Sequence, residues 1–376
     1  MKLLCVVGAR PNYMKMAPLL RAFRANPALP PALLVHTGQH YEPMLNDRLF
    51  EDLALPRPDI NLEVGSGSHA VQTAEVMRRF EPVVDEHQPS CVVVVGDVNS
   101  TLACSLVAVK KGVRVAHVEA GLRSYDRTMP EEVNRVLTDQ VADFLYTTER
   151  AAHANLAREG IPAERIHFAG NVMIDSLLSH KERAIPPSQA LRTSRYGVVT
   201  LHRPSNVDTP EALAVCLEIL AAVAEKLPLV CVLHPRTSAR ISAFHLHHKL
   251  TTLPSQGYLE MLGLVKHAAL VLTDSGGLQE ETTALGVPCL TLRENTERPI
   301  TVEQGTNTVV GRDRRLILSL VDDVLRTGGK RGRIPELWDG RAAERIAAHL
   351  AASLIPKTAE IRDRARLSPC LTSPTR

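Results

Sequence analysis

The chain has 376 residues, a net charge of +3 and 44% hydrophobic residues. That length exceeds what one compact core usually holds, so two α/β domains are expected. The near-neutral balance leaves no basic footprint for nucleic acid, and 3% aromatic residues provide no stacking platform for single strands. No apolar run is long enough to span a bilayer, and the first apolar run is too short for a secretory signal. A cytoplasmic protein without membrane or nucleic-acid partners is the expectation. The seven cysteines include no CxxC pair and fall mostly in strand-like runs, which reads as buried thiols and no metal site.

In chain order, the first half repeats strand, loop and helix. Strands are predicted over 3–7, 32–36, 91–95, 113–118, 144–147 and 166–168. Helices are predicted over 17–24, entered through Pro18 in a first turn, then 70–86, 102–109 and 131–140. Cys91 to Val95 is apolar on both faces, as a central parallel strand must be. A polar connection at 188–194 separates a second series: strand 198–200, helix 210–226, strands 229–233 and 270–272, helix 278–285 and strand 289–292. The expected fold class is therefore α/β, with two Rossmann-like, doubly wound parallel sheets facing a cleft. The expected domains are 1–185 and 195–340. Residues 341–354 form a closing or crossover helix, and 355–376 a frayed tail.

In such sheets, ligands bind at the C-terminal ends of the strands. Asp97 and Glu119 follow two first-half strands, and Glu131 opens the next helix, so three carboxylates should converge on one crevice. Crowding and burial push such acids' proton affinities apart, which suits acid–base chemistry. His117 and Arg123 are candidates to support them. The Gly8-Ala9-Arg10-Pro11 turn, with Lys15, offers backbone N–H groups and cations to an anion. It is not GxGxxG, so no dinucleotide cofactor is expected. Ser275, Gly276 and Gly277 make a second turn able to approach a diphosphate closely. Glu281 then either holds a ribose or complements the helix dipole. His202 with Arg203 ends one strand, and His234 ends the next with a weaker claim, since Pro235 suggests a turn. Arg298, near Arg293 and Glu297, is either a phosphate clamp or half of a surface ion pair.

Together these motifs resemble the non-hydrolysing UDP-N-acetylglucosamine 2-epimerases. The matching pieces are Gly8-Ala9-Arg10-Pro11 with Lys15, Thr37-Gly38-Gln39-His40, Gly96-Asp97, His117-Val118-Glu119-Ala120-Gly121-Leu122-Arg123 and Pro130-Glu131-Glu132-x-Asn134-Arg135. They continue through Gly170-Asn171, Leu201-His202-Arg203-Pro204, Asp274-Ser275-Gly276-Gly277 and Arg298-Pro299, over about residues 1–350. The resemblance implies a twin-Rossmann (GT-B-like) fold and epimerisation at C2 of a UDP-sugar without a bound cofactor. UDP would leave to give 2-acetamidoglucal, then add back after C2 is protonated on its other face. Asp97, Glu119 and Glu131 would share the acid–base work, with the C2 base left open among them, and His202 would assist the leaving UDP. Arg10, Lys15, Ser275, Gly276 and Gly277 would hold the phosphates, Glu281 the ribose, and Arg298 would lie on the nucleotide or phosphate side. Gln256 would contact the uracil, with Met261 where the family often has an aromatic. A homodimer is the expected assembly.

Three features depart from the family. His202-Arg203-Pro204-Ser205-Asn206 replaces a His-Arg-Arg-Glu-Asn run. Gln39-His40-Tyr41-Glu42-Pro43-Met44 departs from the stretch used by a regulatory nucleotide-sugar site. Between Leu253 and Gln256 no apolar strand is apparent, so the second sheet is expected to lack a strand and to carry a distorted uracil pocket in a less stable domain. Other readings are an epimerase of a related UDP-2-acetamido sugar or uronate, a hydrolysing relative, a retaining glycosyltransferase of the same fold, or an inactive nucleotide-sugar-binding copy.

Overall fold

The computed structural model describes residues 2–38, 49–192 and 194–354. The stretch 39–44 and the tail 355–376 lie outside them. The first sheet contains β1 (Leu3–Val7), β2 (Ala32–His36), β3 (Ile60–Asn61), β4 (Cys91–Val95), β5 (Arg114–Ala120), β6 (Phe144–Thr147) and β7 (Ile166–Phe168). Their order is β3-β2-β1-β4-β5-β6-β7, and every pair is parallel. The second contains β8 (Gly197–Thr200), β9 (Leu229–Val232), β10 (Thr251–Leu253), β11 (Leu270–Thr273), β12 (Cys289–Thr291) and β13 (Asn307–Val309). It runs β10-β9-β8-β11-β12-β13, also all parallel. The strand order reverses between β1 and β4 and again between β8 and β11, which opens a crevice at each sheet's C-terminal edge. The chain is a twin α/β fold with two parallel-sheet domains.

The apolar strands build this arrangement by burying both faces. In β1, Leu3, Cys5 and Val7 join one core cluster, while Leu4 and Val6 join the cluster on the other side. The first of these takes in α1 (Arg10–Ala25) through Tyr13, Met16, Leu19 and Leu20. The second is covered by α2 (His69–His87) and α3 (Asn99–Lys110), through Val76, Phe80, Ala103 and Val107. In the second domain, β9 and β11 are buried throughout.

Helix α1 corrects the expected start at residue 17. It begins at Arg10, with Pro11 in its first turn, where the missing N–H is no loss. The Asn12 side chain accepts from the Gly8 and Ala9 amides at 3.0 and 3.1 Å and so fixes the turn. Pro18 lies inside the helix, not in its first turn. A proline there strands the carbonyl four residues back. That carbonyl, on Met14, accepts from the Ser176 hydroxyl instead.

The expectation of a missing strand is also overturned. Residues Thr251–Leu253 form β10, which pairs in parallel with β9 from Thr251↔Val230 to Leu253↔Val232. It escapes an apolar search because it is a three-residue edge strand whose threonines are exposed. An edge strand buries little and needs only its backbone ladder, and short polar edges resist wrong pairing. The loosened domain and distorted pocket inferred from its absence lose their basis. β3 and β13, also short edge strands, were not anticipated.

The remaining α-helices of five residues or more are α4 (Pro130–Val141), α5 (Arg150–Arg158), α6 (Val172–His180), α7 (Pro210–Ala224), α8 (Pro235–Ala243), α9 (Tyr258–Lys266), α10 (Gly276–Leu285), α11 (Pro299–Glu303), α12 (Arg314–Thr327) and α13 (Ala342–Leu354). Helix α13 crosses back to the first sheet: Ile346 and Leu350 share the cluster of Leu19 and Leu20. Asp175 on α6 receives its first amides, from Ala342 at 3.1 Å and Ala343 at 2.7 Å. The connection between the sheets is held at Ile185, whose amide donates to Leu259 O on α9 at 3.0 Å. There α9 presents Gly263, where a Cβ would sit 1.8 Å from Ile185 O. Gly263→Ala should therefore destabilise the protein by about 1–3 kcal/mol, the usual cost of overpacking. A denaturant melt with an unchanged midpoint would show that this contact yields freely.

Candidate active site

The two C-terminal sheet edges meet around a chain of buried ions. Glu119 occupies a bulge in β5, where the pairing with β6 slips between Val118 and Ala120. Its φ of 74° is left-handed, a strained choice for glutamate that costs on the order of 1–3 kcal/mol. A bulge re-aims a side chain. Here the Glu119 carboxylate is paired with Lys15 from α1 and with Arg298 Nη2 at 2.5 Å. Lys15 fits because residue 96 is glycine at φ 66°: a Cβ there would lie 2.9 Å from its Nζ. The contact between Glu119 and Arg298 joins the two domains directly.

Arg298 is buried and meets two further carboxylates, Glu280 on α10 at 2.9 Å and Glu297 at 3.2 Å. The surface ion pair considered for it is thereby excluded. Glu297 is also bound by Arg293 at 2.7 Å. Burial would raise the Glu297 carboxyl, but Arg298, Arg293 and Arg203 outweigh it and hold it far below its usual range. Gly276 makes room for this cluster, since a Cβ there would lie 2.6 Å from Glu297 Oε1.

Asp97, just beyond β4, is paired with Arg135 of α4 at 2.7 Å. Burial again opposes ionisation, but Arg135, Lys15 and Arg298 win and keep the carboxyl below its ordinary range. Arg135 is itself held by Glu132 at 2.7 Å, and Asn134 Nδ2 donates to Asp97 O at 3.0 Å. Glu131 opens α4 differently. Its side chain is 39% exposed, and Arg203 approaches it at 3.6 Å from the second domain.

His202, beyond β8, is anchored by Asp274. Its ring Nδ1 lies 2.9 Å from Asp274 Oδ1, and its amide and that of Arg203 donate to the same carboxylate. His234 faces it, with ring centroids 5.7 Å apart. Burial first, then the charges of His202, Arg10 and Arg236, lower His234 to about 4. Its Nδ1 accepts from the Arg236 amide at 3.2 Å, so it caps α8. Arg10 donates to the carbonyl of Gln256 at 2.9 Å, a second bond across the domains, while Gln256 Nε2 turns to Pro254 O at 2.7 Å. Met261 packs against the apolar cluster of Tyr196, Val198 and Val230. Ser275 occupies the N-cap position of α10 without a side-chain capping bond, and Glu281 lies buried on that helix. Burial and then Glu280 raise Glu281 to about 7, against Arg10 and Tyr258.

The arrangement gathers carboxylates and cations from both domains around one crevice. A family model described as UDP-N-acetylglucosamine 2-epimerase matches residues 22–351. The chain belongs to that family. The UDP-N-acetylglucosamine 2-epimerase of Methanocaldococcus jannaschii is 41% identical, over 92% of this chain and 98% of its own length. A UDP-2,3-diacetamido-2,3-dideoxy-D-glucuronate 2-epimerase of Pseudomonas aeruginosa is 39% identical, over 93% and 99%. The crystal structure of the M. jannaschii epimerase in complex with UDP-GlcNAc and UDP superposes with a TM-score of 0.87 at 39% identity, covering 94% of this chain and all of that one.

For an epimerase-family chain, most residues singled out from sequence meet here. Lys15, Asp97, Glu119, Glu131, His202 and Arg298 all reach this ion network or the Asp274 anchor, while Arg10 spans the domains to the Gln256 carbonyl. His117 and Arg123 stand behind it: His117 bridges Asp139 at 2.6 Å and Gly96 O at 2.8 Å, and Arg123 pairs with Asp139 at 2.7 Å. They fix the loop that carries Asp97. Sequence reasoning missed Glu280, Arg135 and Asp274 as functional supports, and Glu149 altogether. Asp274 and Arg135 lay inside recognised motifs. Glu149 follows Thr147-Thr148 at the end of β6, a strand-end acid that the edge rule would have flagged. Among the described residues, no three His, Cys, Asp or Glu side chains group as metal ligands.

Proposed function

We propose that this chain interconverts UDP-N-acetylglucosamine and UDP-N-acetylmannosamine. The observation that carries the reading is the buried bridge Lys15–Glu119–Arg298 between the two domains, with Asp97 in the field of the same two cations. One of Asp97, Glu119 and Glu131 takes the C2 proton, and the C1–O bond breaks with its electron pair leaving on UDP. The product is 2-acetamidoglucal. An acid then protonates C2 on the other face, and UDP returns to C1. Positive groups stabilise the leaving diphosphate and a positioned acid supports the return. Arg10, Lys15 and Arg298 supply the charge, with the Ser275-Gly276-Gly277 turn of α10 lending its amides. Asp274 occupies Nδ1 of His202, which leaves Nε2 for the departing phosphate. Glu281 takes the ribose, and Gln256 and Met261 border the uracil. No bound cofactor is required by these steps.

In heavy water, product should carry deuterium at C2, read by proton NMR. Product that keeps its C2 hydrogen would exclude proton abstraction there. The 39% identity to the diacetamido-glucuronate epimerase favours a second substrate class, a UDP-2-acetamido uronate. Parallel assays with both sugars decide between them by relative kcat/KM. The working unit is proposed to be a cytoplasmic homodimer that does not bind nucleic acid. The small net charge supports the last point, and six described cysteines that are buried and unpaired support a reducing compartment. No helix among the described residues is long and apolar enough to cross a membrane.

A further inference from the structure

Beneath Arg298 lie two carboxylates to which the reaction assigns no role. Glu280, on α10 of the second domain, is 1% exposed, and Glu149, just before α5 of the first, is 2% exposed. Glu280 Oε1 is ion-paired with Arg298 Nε at 2.9 Å and accepts from Asn171 Nδ2 at 3.0 Å. Glu280 Oε2 and Glu149 Oε1 are buried without a hydrogen-bond partner among the described residues. A buried, unpaired carboxylate oxygen is costly when ionised and far less so when its group holds a proton.

The charges facing the two groups come from every element packed on them. Around Glu280 these are Arg298, Glu119 on β5, Lys15 on α1 and its neighbour Glu281 on α10; around Glu149 they are Glu280, Arg298 and Glu303 on α11. Burial pushes Glu280 up to about 7, with Arg298 opposing and Glu119 adding. Burial pushes Glu149 up to about 8, with Glu280 adding and Arg298 opposing. Arg298 is thus the principal cation that both acids face, and it already serves Glu119 and Glu297. A diphosphate arriving at Arg298 competes for the same guanidinium and adds negative charge beside both acids.

We infer that binding of the nucleotide's diphosphate at Arg298 draws a proton from solvent onto the buried Glu149–Glu280 pair, so that nucleotide affinity is coupled to proton uptake. This rests on the reading that a UDP-sugar occupies the crevice. The proton stays on the enzyme and takes no part in the exchange at C2. By linkage, UDP affinity falls as pH rises through the pair's range, because the enzyme must then bind a proton that is scarcer. Glu149 and Glu280 are positioning residues: they set how fully Arg298 can turn to phosphate.

The test is calorimetric titration of UDP at pH 8, where free UDP is fully ionised, in two buffers of unlike ionisation enthalpy. The wild-type protein should take up between roughly half a proton and one proton per UDP. Glu149→Gln and Glu280→Gln, both of similar shape, should each cut that uptake severalfold and flatten the fall of UDP affinity with pH. The infrared difference spectrum of the wild-type protein should gain a protonated-carboxyl band when UDP binds, a readout that depends on no variant. UDP that binds without proton uptake, uptake undiminished in both variants, or no such band would each overturn the inference. Absence of UDP binding would instead bring down the proposed function, and this inference with it.

Discussion

Asp97→Asn, Glu119→Gln and Glu131→Gln should each lower turnover by about two orders of magnitude or more, the usual scale of a positioned acid or base. The structure separates the three by their surroundings. Asp97 is held ionised by Arg135, Lys15 and Arg298 despite its burial. Its amide variant keeps a hydrogen-bonding oxygen for Arg135 but no charge, so its loss should fall mainly on kcat. Glu119 lies between Lys15 and Arg298 and bridges the domains. Glu119→Gln frees both cations to bind phosphate more tightly, so UDP affinity should be kept or should rise while turnover collapses. Glu131 is the most exposed and the least tied, with Arg203 at 3.6 Å. Glu131→Gln should leave melting temperature and UDP affinity nearest to wild type. Initial rates with UDP calorimetry on all three variants give the comparison. Near-normal turnover in all three would remove the acids from the chemistry.

The residues that lead to this prediction were readable because the fold places strand ends together. Val92 to Val95 had to be a buried parallel strand, so Asp97 had to lie at its C-terminal edge, and the same rule placed Glu119, His202 and Ser275. What escaped the sequence has physical reasons. β10 hides because Thr251 and Thr252 face solvent at an edge and leave no apolar signal. The start of α1 hides because Gly8, Pro11 and Asn12 look like loop residues, whereas Asn12 caps the turn and Pro11 tolerates it. The bulge at Glu119 has no local signature, since a left-handed φ falls on this glutamate as well as on the glycine two residues on. Charge partners across the domains, such as Arg298 with Glu119 and Arg203 with Glu131, are set by tertiary closure over long sequence separations. Spacing along the chain carries no trace of them.

Arg298→Ala should both weaken UDP binding and destabilise the ligand-free protein, and the second effect follows from the structure alone. A surface arginine could be removed at little cost. This one is buried against Glu119, Glu280 and Glu297. Lys15 remains for Glu119 and Arg293 for Glu297, but among the described residues Glu280 keeps only the hydrogen bond from the Asn171 amide. Breaking a buried pair by removing one partner costs about 3–5 kcal/mol when the other stays charged. Glu280 can escape part of that cost by taking a proton, because burial already raises its carboxyl to about 7 and loss of Arg298 raises it further. The sign then follows. A carboxyl whose folded-state pKa lies above its unfolded value contributes stability that is complete below the unfolded value and is lost as pH rises through the folded one. The variant should therefore lie close to wild type in melting temperature near pH 5 and fall progressively behind between pH 6 and pH 9. Loss of charge-assisted bonds to the diphosphate adds roughly 1.5–3 kcal/mol in UDP affinity, about ten- to a hundredfold. Adding Glu280→Gln to Arg298→Ala should restore much of the lost stability at pH 8, because a neutral amide replaces the stranded charge, yet it should not restore UDP affinity. A double variant as unstable as the single one at pH 8 would mean that Arg298 holds the domains together by packing, and that Glu280 is not the group left exposed to its loss.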